Sequence, residues 1–181
     1  MFIFTEFKTG KDIVKLTLPE VEHAKDLYEI VDKYRSYISR WLPGVDETNS
    51  LEDELNFIKF AREETASYKA LFLTILLNDR AIGMVDLHNI SEKNHRAEIG
   101  YWISKDFQGY GIMTESVKRL VEISFNELNI HKFIIMAETE NLKSCAVAKR
   151  LDFDHEATLK EYLVYGDEFK DVYVYSKIVN G

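Results

Sequence analysis

A glutamine and two glycines between a strand pattern and a helix pattern form the most informative segment of this sequence. Gln108, Gly109 and Gly111 follow the alternating run 96–104 and precede an amphipathic stretch. A strand-to-helix turn of this kind leaves several backbone N–H groups unpaired, and the helix N-terminus adds a partial positive charge. The glycines remove side chains that would keep a ligand from the backbone, and they allow left-handed dihedral angles. These features predict a binding site for the diphosphate of a cofactor.

Three kinds of phosphate-binding loop have glycines at comparable spacing. A Walker loop requires a lysine followed by serine or threonine after its last glycine, where this chain has Ile112 and Met113. A dinucleotide-binding fingerprint requires a third glycine, which would fall at Thr114. Both patterns fit poorly. The run from Gln108 to Met113 instead resembles the Q/R-x-x-G-x-G/A signature of the GNAT acyl-CoA N-acyltransferases, with Met113 in place of the final small residue.

Other segments share this resemblance. Asn141 and Ser144, together with the leucine and phenylalanine at 151 and 153, resemble the N-x-x-S…L-G-F segment of the same superfamily. Asp152 replaces the usual glycine, which is tolerable because Asp visits the left-handed region more readily than most residues. The run 97–102 resembles the strand before the cofactor loop in the ribosomal-protein N-acetyltransferase (Rim-type) branch. The C-terminal positions that also fit that branch are Leu163, Gly166, Asp171 and Tyr175.

The resemblance implies an enzyme that transfers the acetyl group of acetyl-CoA directly to a primary amine. Backbone groups of Ile103 and Ser104 would pair with the amide groups of acetyl-CoA as an added strand would. Asn141 would bind the pantetheine arm or a buried water. The full set of implied cofactor contacts is Ile103, Ser104, Gln108, Gly109, Tyr110, Gly111, Ile112, Met113, Thr114 and Asn141.

Direct transfer requires a proton acceptor, because an amine must be neutral to attack and a lysine-type amine has a pKa of about 10.4. Glu98 is the first candidate, since it lies on the strand that leads into the turn and a glutamate at the matching position is implicated in related Rim-type enzymes. The alternative is a solvent-facing carboxylate. The family counterpart of Ser144 is a proposed proton donor to the departing thiolate. The alternative for Ser144 is a structural position in a helix that Asn141 caps.

Aromatic residues and a histidine are candidates for the acceptor site. Trp41, with Tyr37 and Arg40 beside it, corresponds to a tryptophan in related proteins; the alternative is an aromatic residue in a helix core. His88 precedes the loop before Glu98 and is either a substrate contact or a surface histidine. The histidines show no metal-binding spacing, so no metal site is expected. Cys145 is expected to be buried rather than nucleophilic.

Amino-acid composition and charge further narrow the classes of protein to which this chain can belong. A chain of 181 residues with 46% hydrophobic residues is expected to form one domain, residues 1–181, with a proper core. The net charge of −8 argues against nucleic-acid binding, and an acidic surface suits cationic amines. Glu6 and Lys8 interrupt the N-terminal apolar run, so neither a signal peptide nor a membrane span is expected. A single cysteine excludes an internal disulfide and fits a cytoplasmic protein, and the resemblance implies a homodimer as one option.

Hydrophobic periodicity predicts the order of the elements. Meandering strands come first, then a β-α-β unit and a C-terminal hairpin, which indicates an α/β (α+β) mixed sheet with helices on both faces. The GNAT fold has that order, with a mostly antiparallel sheet of about seven strands. Helices are predicted at 21–34, 51–67, after the glycine turn and at 142–151. Strands are predicted at 14–18, 70–77, 81–89, 96–104, 131–137 and on both sides of Gly166.

The predicted function is therefore acetyl transfer from acetyl-CoA to a primary amine. The acceptor is either the N-terminal amine of a ribosomal or other protein, or a small amine such as a polyamine, an amino acid or a drug. The alternative from another class is a non-catalytic acyl-CoA-binding module, which would keep the glycine turn and Asn141 but would not need Glu98. The presence of both Glu98 and Ser144 favours the enzyme.

Overall fold

A computed structural model describes residues 2–42, 44–165 and 167–179. The strands in this part of the chain are β1 (Ile3–Thr9), β2 (Asp12–Thr17), β3 (Leu71–Leu77), β4 (Arg80–Ser91), β5 (Arg96–Ile103), β6 (Lys132–Glu138), β7 (Asp154–Tyr165) and β8 (Glu168–Ile178). The α-helices are α1 (Ala24–Lys33), α2 (Arg35–Ile38), α3 (Leu51–Ala66), α4 (Ile112–Leu128) and α5 (Leu142–Arg150).

The eight strands form one sheet in the order β1-β2-β3-β4-β5-β6-β8-β7. β5 and β6 run parallel, whereas β1–β2, β2–β3, β3–β4, β6–β8 and β7–β8 are antiparallel pairs. The mixed, mostly antiparallel sheet with helices confirms the predicted fold class. The strand in excess of the expected number is β1. Its sequence, IFTEFKT, begins with two apolar residues in succession and shows no sustained alternation of apolar and polar residues, and only Phe7 in it is buried.

Local signals set several element boundaries as predicted. The β3–β4 connection uses Asn78 and Asp79, with φ of 48° and 66°, which is the left-handed geometry of tight hairpin turns. The Ser50 hydroxyl accepts a hydrogen bond from the backbone N–H of Asp53 at 3.2 Å and caps α3. β4 runs two residues beyond its predicted end, to Ser91. Pro43, and Gly166 between the two predicted C-terminal strands, lie outside the described residues.

The chain forms two compact units, and β4, β5 and α4 contribute residues to both of them. Unit 1 comprises residues 1–88 and 100–116, and unit 2 comprises residues 89–99 and 117–181. The expectation of a single domain over residues 1–181 stays a prediction. Within the described chain, none of the helices has both the length and the apolar character needed to cross a membrane.

Two apolar clusters hold the helices of unit 1 in place. One contains Leu27 of α1, Ile58 of α3 and Leu76 of β3, each at most 1% exposed. The other joins α1 and α2 through Val31 and Ile38. Partly buried side chains packed against the second cluster are Tyr34, Tyr37, Leu42 and Trp102. Because full burial of an aliphatic side chain stabilises a fold by about 1.5–3 kcal/mol, the second cluster anchors α2 to α1 through Ile38.

In unit 2, a buried strand and a capped helix form the frame. Phe133 and Ile135 of β6 are fully buried beside β8. α5 ends at Arg150, and Asp152 shortly after it has a φ of 55°, in the left-handed region, as its replacement of a glycine predicted. β7 carries an irregularity between Leu159 and Leu163, where Asp171 accepts a hydrogen bond from the backbone N–H of Glu161 at 2.9 Å.

Candidate active site

The cofactor turn, defined here as Gln108–Gly111, lies at the surface of unit 1 between β5 and α4. Gly109 and Gly111 have φ of 87° and 77°, so the turn requires left-handed backbone at both positions. A Cβ built on either glycine would meet no heavy atom within 4 Å. The space beside the turn is therefore open to a ligand, and the glycines are needed for their dihedral angles rather than to relieve crowding.

Helix α4 begins directly after the turn, with the Glu115 N–H bonded to the Gly111 carbonyl at 3.0 Å. The first N–H groups of an α-helix have no intrahelical acceptor and carry partial positive charge. Ile112 and Met113 are buried, at 2% and 8% exposure, so only their backbone groups are available to a diphosphate. Met113 therefore serves the core where the family pattern has a small residue. Thr114 is half-buried, and Tyr110 is exposed with its carbonyl accepting a hydrogen bond from Thr9.

The residues before the turn hold it on the sheet. The Ser104 N–H donates to the Ile82 carbonyl at 2.8 Å, and Ser104 is almost fully buried. Residues 105–107 make one short 3-10 turn after it. The side-chain Nε2 of Gln108 then donates to the carbonyl of Ile103 at 3.4 Å. The fit to a diphosphate and pantetheine is good, since backbone donors, open space and a strand end occur together.

Tyr37 and Trp41 lie on the α2 segment, defined here as residues 35–42. Tyr37 is half-buried, and its hydroxyl donates to Oε1 of Gln108 at 3.1 Å, which brings a candidate acceptor residue to the cofactor turn. Trp41 is half-buried with the Arg40 guanidinium 4.4 Å from its ring centroid. Tyr34 and Lys33, just before this segment, both donate to Asp106.

His88 is half-buried on β4, and its Nδ1 lies 2.7 Å from Oδ1 of Asp86. Asp86 was missed by sequence reasoning, although two polar residues two apart on an apolar strand share one face and could have indicated it. A Cβ on Gly100 would lie 2.6 Å from Oδ2 of Asp86, so Gly100 leaves the space that this carboxylate occupies. The His88 side chain is 39% exposed, so a substrate contact and a surface histidine held by a carboxylate both stay open for it.

Glu98 lies in unit 2 on β5, between the buried residues Ala97 and Ile99. It pairs in register with Ile134 of β6 and is half-buried. Side chains alternate along a strand, so Glu98 and Gly100 lie on the same face of β5. The carboxylate is therefore neither a core residue nor a fully solvated surface charge.

Asn141 caps helix α5, as predicted. Its Oδ1 accepts a hydrogen bond from the Ser144 N–H at 3.2 Å. Both residues are half-buried. The cap uses the backbone of Ser144, so the Ser144 hydroxyl is not the capping group.

Cys145 is buried behind this helix start, as expected. Its Sγ lies 3.9 Å from the Glu138 carbonyl. Burial, followed by the hydrogen bond with Cys145, raises the pKa of Tyr175 to about 12, which keeps that hydroxyl protonated at neutral pH. Among the described residues, no cluster of three or more His, Cys, Asp or Glu side chains could hold a metal ion.

The combination of a mixed sheet, a glycine turn and a helix that begins at the turn is typical of acyl-CoA-dependent transferases. A family model, described as an acetyltransferase (GNAT) domain, matches residues 14–154. The protein YdaF of Bacillus subtilis (strain 168) is 30% identical over 164 residues, which is 90% of each chain. The ribosomal-protein-serine acetyltransferase of Escherichia coli (strain K12) is 28% identical over 159 residues, covering 87% of this chain and 88% of that protein.

A solved structure is similar over the same length. The microcin C7 self-immunity acetyltransferase MccE, in complex with acetyl-CoA and AMP, superposes with a TM-score of 0.89 at 27% identity and covers 96% of each chain. The chain belongs to the GNAT acetyltransferase family. It is an acetyl-CoA-dependent N-acetyltransferase, and acetyl-CoA is its co-substrate.

Proposed function

We propose that this protein acetylates the N-terminal amine of a ribosomal or other protein. The observation that most directly supports the use of acetyl-CoA in this reaction is the pair of left-handed glycines, Gly109 and Gly111, just before α4. The protein acceptor is supported by the E. coli relative, whose name states a ribosomal-protein-serine substrate and which aligns with 87% of this chain.

The cofactor turn and the first turn of α4 hold the diphosphate through backbone N–H groups. Backbone groups of Ile103 and Ser104 hold the pantetheine amides, and Asn141 holds the pantetheine arm while it caps α5. Acetyl-CoA supplies an acetyl group activated as a thioester. Tyr37, Trp41 and His88 line the acceptor side.

Glu98 takes one proton from the attacking amine, directly or through water, as the new C–N bond forms and the C–S bond breaks. Ser144 donates its hydroxyl proton to the departing thiolate. Solvent returns to Ser144 the proton that Glu98 accepted, so both side chains regain their starting states. The products are the N-acetylated amine and the free thiol.

Thiol release in the presence of an amine panel tests the proposal. Peptides with free N-terminal serine, alanine or methionine should release thiol, whereas the same peptides with an N-acetyl cap should not. A peptide with a blocked N-terminus and one free lysine separates α-amines from ε-amines. Turnover with polyamines alone would contradict the protein acceptor.

Small amines are the second candidate class of acceptor. MccE is named as a microcin C7 self-immunity acetyltransferase and was solved with acetyl-CoA and AMP, so its name states no ribosomal-protein substrate. The net charge of −8 on this chain also suits cationic amines. An acyl-CoA-binding module without catalysis would release no thiol with any amine and would be unaffected by Glu98→Gln.

We also propose that the protein acts in the cytoplasm, where an N-terminal amine of a ribosomal protein is available.

A further inference from the structure

Polar contacts join the α2 segment to the cofactor turn in a way that acetyl transfer does not by itself require. We propose that Tyr37 is a positioning residue, which transmits occupancy of the cofactor turn to the α2 segment through the side chain of Gln108. The inference rests on the proposed function for the location of the two substrates. The consequence is that bound acetyl-CoA orders the α2 segment, which is proposed to contact the amine, before the amine binds.

The Gln108 amide connects two functional regions. Its Oε1 accepts from the Tyr37 hydroxyl at 3.1 Å, and its Nε2 donates to the Ile103 carbonyl at 3.4 Å. An amide has one acceptor end and one donor end, and both ends are used here, so the side chain links Tyr37 to the end of β5. Ile103 is where the pantetheine amide is proposed to pair. Lys105 adds a contact from the same side, with Nζ 5.4 Å from the centroid of the Tyr37 ring.

A second link connects the end of α1 to the residues just before the turn. Asp106 accepts hydrogen bonds from the Tyr34 hydroxyl and from Nζ of Lys33, the latter at 2.9 Å. The hydrogen bond from Tyr34, followed by that from Lys33, lowers the pKa of Asp106, so the carboxylate is ionised at neutral pH.

The two links differ in how exposed they are to solvent, and this difference indicates which of them contributes more to the coupling. Lys33 and Asp106 are 60% and 49% exposed, and exposed ion pairs contribute little and weaken as salt is added. The Tyr37–Gln108 bond is neutral and half-buried. It therefore carries the larger part of the coupling, and that part should not depend on salt.

The coupling follows from conformational entropy. Two glycines give the turn more backbone freedom to lose on ordering than other residues would. Diphosphate bound to the backbone N–H groups restricts the turn, and with it the position of Gln108. The hydrogen-bond acceptor of Tyr37 is then held in one position, so the α2 segment loses less conformational entropy when it becomes ordered. The same coupling makes a closed α2 segment favour acetyl-CoA.

Hydrogen–deuterium exchange with coenzyme A as the probe tests the proposal. The N–H groups of Trp41 and Leu42 both donate to the Ile38 carbonyl, at 2.9 and 3.0 Å, so exchange in this segment reports its opening. Saturating coenzyme A should slow exchange across residues 35–42 by about threefold to tenfold in the wild type, the effect of one hydrogen bond. The slowing should persist at about 0.5 M salt, where the Debye length is only a few ångström.

Tyr37→Phe should lose most of this slowing. Tyr28→Phe is the matched control, because the Tyr28 hydroxyl also donates one hydrogen bond of 3.1 Å, to the Asn49 carbonyl, on the neighbouring α1. It should keep the wild-type response. Gln108→Met removes the same bond from the other side, and the double variant with Tyr37→Phe should show no further loss, because the two residues act through one contact.

Calorimetry with coenzyme A separates the possible failures. If Tyr37→Phe binds coenzyme A and slows exchange at residues 35–42 as the wild type does, the positioning role is wrong and the proposed function stands. If the wild type binds coenzyme A without any change in exchange there, the coupling is wrong. If the wild type binds no coenzyme A, the cofactor assignment fails and the coupling fails with it.

Discussion

The Glu98 carboxylate combines two properties that a proton acceptor needs. It is held on a strand whose neighbouring residues Ala97 and Ile99 are buried, and it is itself only half-buried. A buried strand gives the carboxylate a fixed position, and partial exposure lets water carry the proton away.

Glu98→Gln should lower kcat by about 10²-fold or more while acetyl-CoA affinity stays nearly unchanged, because the amide keeps the shape but cannot accept the proton. Steady-state rates and calorimetry measure the two effects. Glu92→Gln, an exposed glutamate in unit 2, is the control and should behave as the wild type. Near-normal turnover in Glu98→Gln would show that Glu98 is not the base.

The roles proposed for Ser144 and Asn141 at the start of α5 can be tested separately. Ser144→Ala removes a proton source and little else, so its effect should fall mostly on kcat. Asn141→Ala removes the cap seen at 3.2 Å, which should lower stability by about 0.5–2 kcal/mol together with cofactor affinity. Thermal unfolding and calorimetry distinguish the two variants.

Acyl donors with different thiols test the Ser144 role more directly. The kcat defect of Ser144→Ala should shrink with thioesters whose thiols are more acidic than coenzyme A, since such thiolates leave without help. An equal defect across donors, or none, would identify Ser144 as a structural helix residue.

At the scale of elements, the cofactor turn depends on two left-handed residues rather than on crowding around them. Gly111→Val places a β-branched side chain at φ of 77° and beside the backbone donors. Acetyl-CoA affinity measured by calorimetry should fall at least tenfold, or by about 1.4 kcal/mol. Circular dichroism should show the fold intact.

A second glycine provides the control for backbone strain. Gly10 in the β1–β2 turn has φ of 61° and open space around its Cβ position, as Gly111 has. Gly10→Val should therefore lose similar stability without losing acetyl-CoA affinity. If both variants bind the cofactor like the wild type, the turn is not the diphosphate site.

At the scale of the whole molecule, one buried carboxyl makes stability depend on pH. Glu54 on α3 is 4% exposed, and burial raises its pKa from 4.5 to about 7. The protonated form is favoured in the folded state, so its stabilising contribution is complete below about pH 4.5 and is lost as the pH rises through about 7. The full difference corresponds to roughly 3 kcal/mol.

Glu54→Gln should therefore be more stable than the wild type above pH 7, by up to roughly 3 kcal/mol, and close to it near pH 4.5. Urea unfolding across this range measures the difference. Glu52→Gln, on the exposed face of the same helix, should show no such trend. Parallel pH profiles for wild type and Glu54→Gln would contradict the assignment.

The single domain over residues 1–181 and the homodimer also concern the whole molecule and stay predictions.

Features set by near neighbours in the chain could be predicted from sequence. The Ser50 and Asn141 caps join residues three apart, and the glycine turn lies within four consecutive residues. β1 escaped prediction because its residues are mostly exposed and gain order by pairing with β2. A strand stabilised by a partner rather than by its own pattern has no signature in its own sequence.

The family, the glycine turn and the candidate catalytic residues could be identified before the fold was known, because these depend on residue type and on spacings of a few residues. The contacts that join the α2 segment and α1 to the region of the turn are visible only in the folded chain. Tyr37 meets Gln108 across 71 positions of sequence, and Tyr34 meets Asp106 across 72. Glu54 reads as one more acidic residue in a helix until packing buries it. Such contacts arise when helices pack on a sheet, and the periodicity of one element carries no record of which distant side chain it will meet.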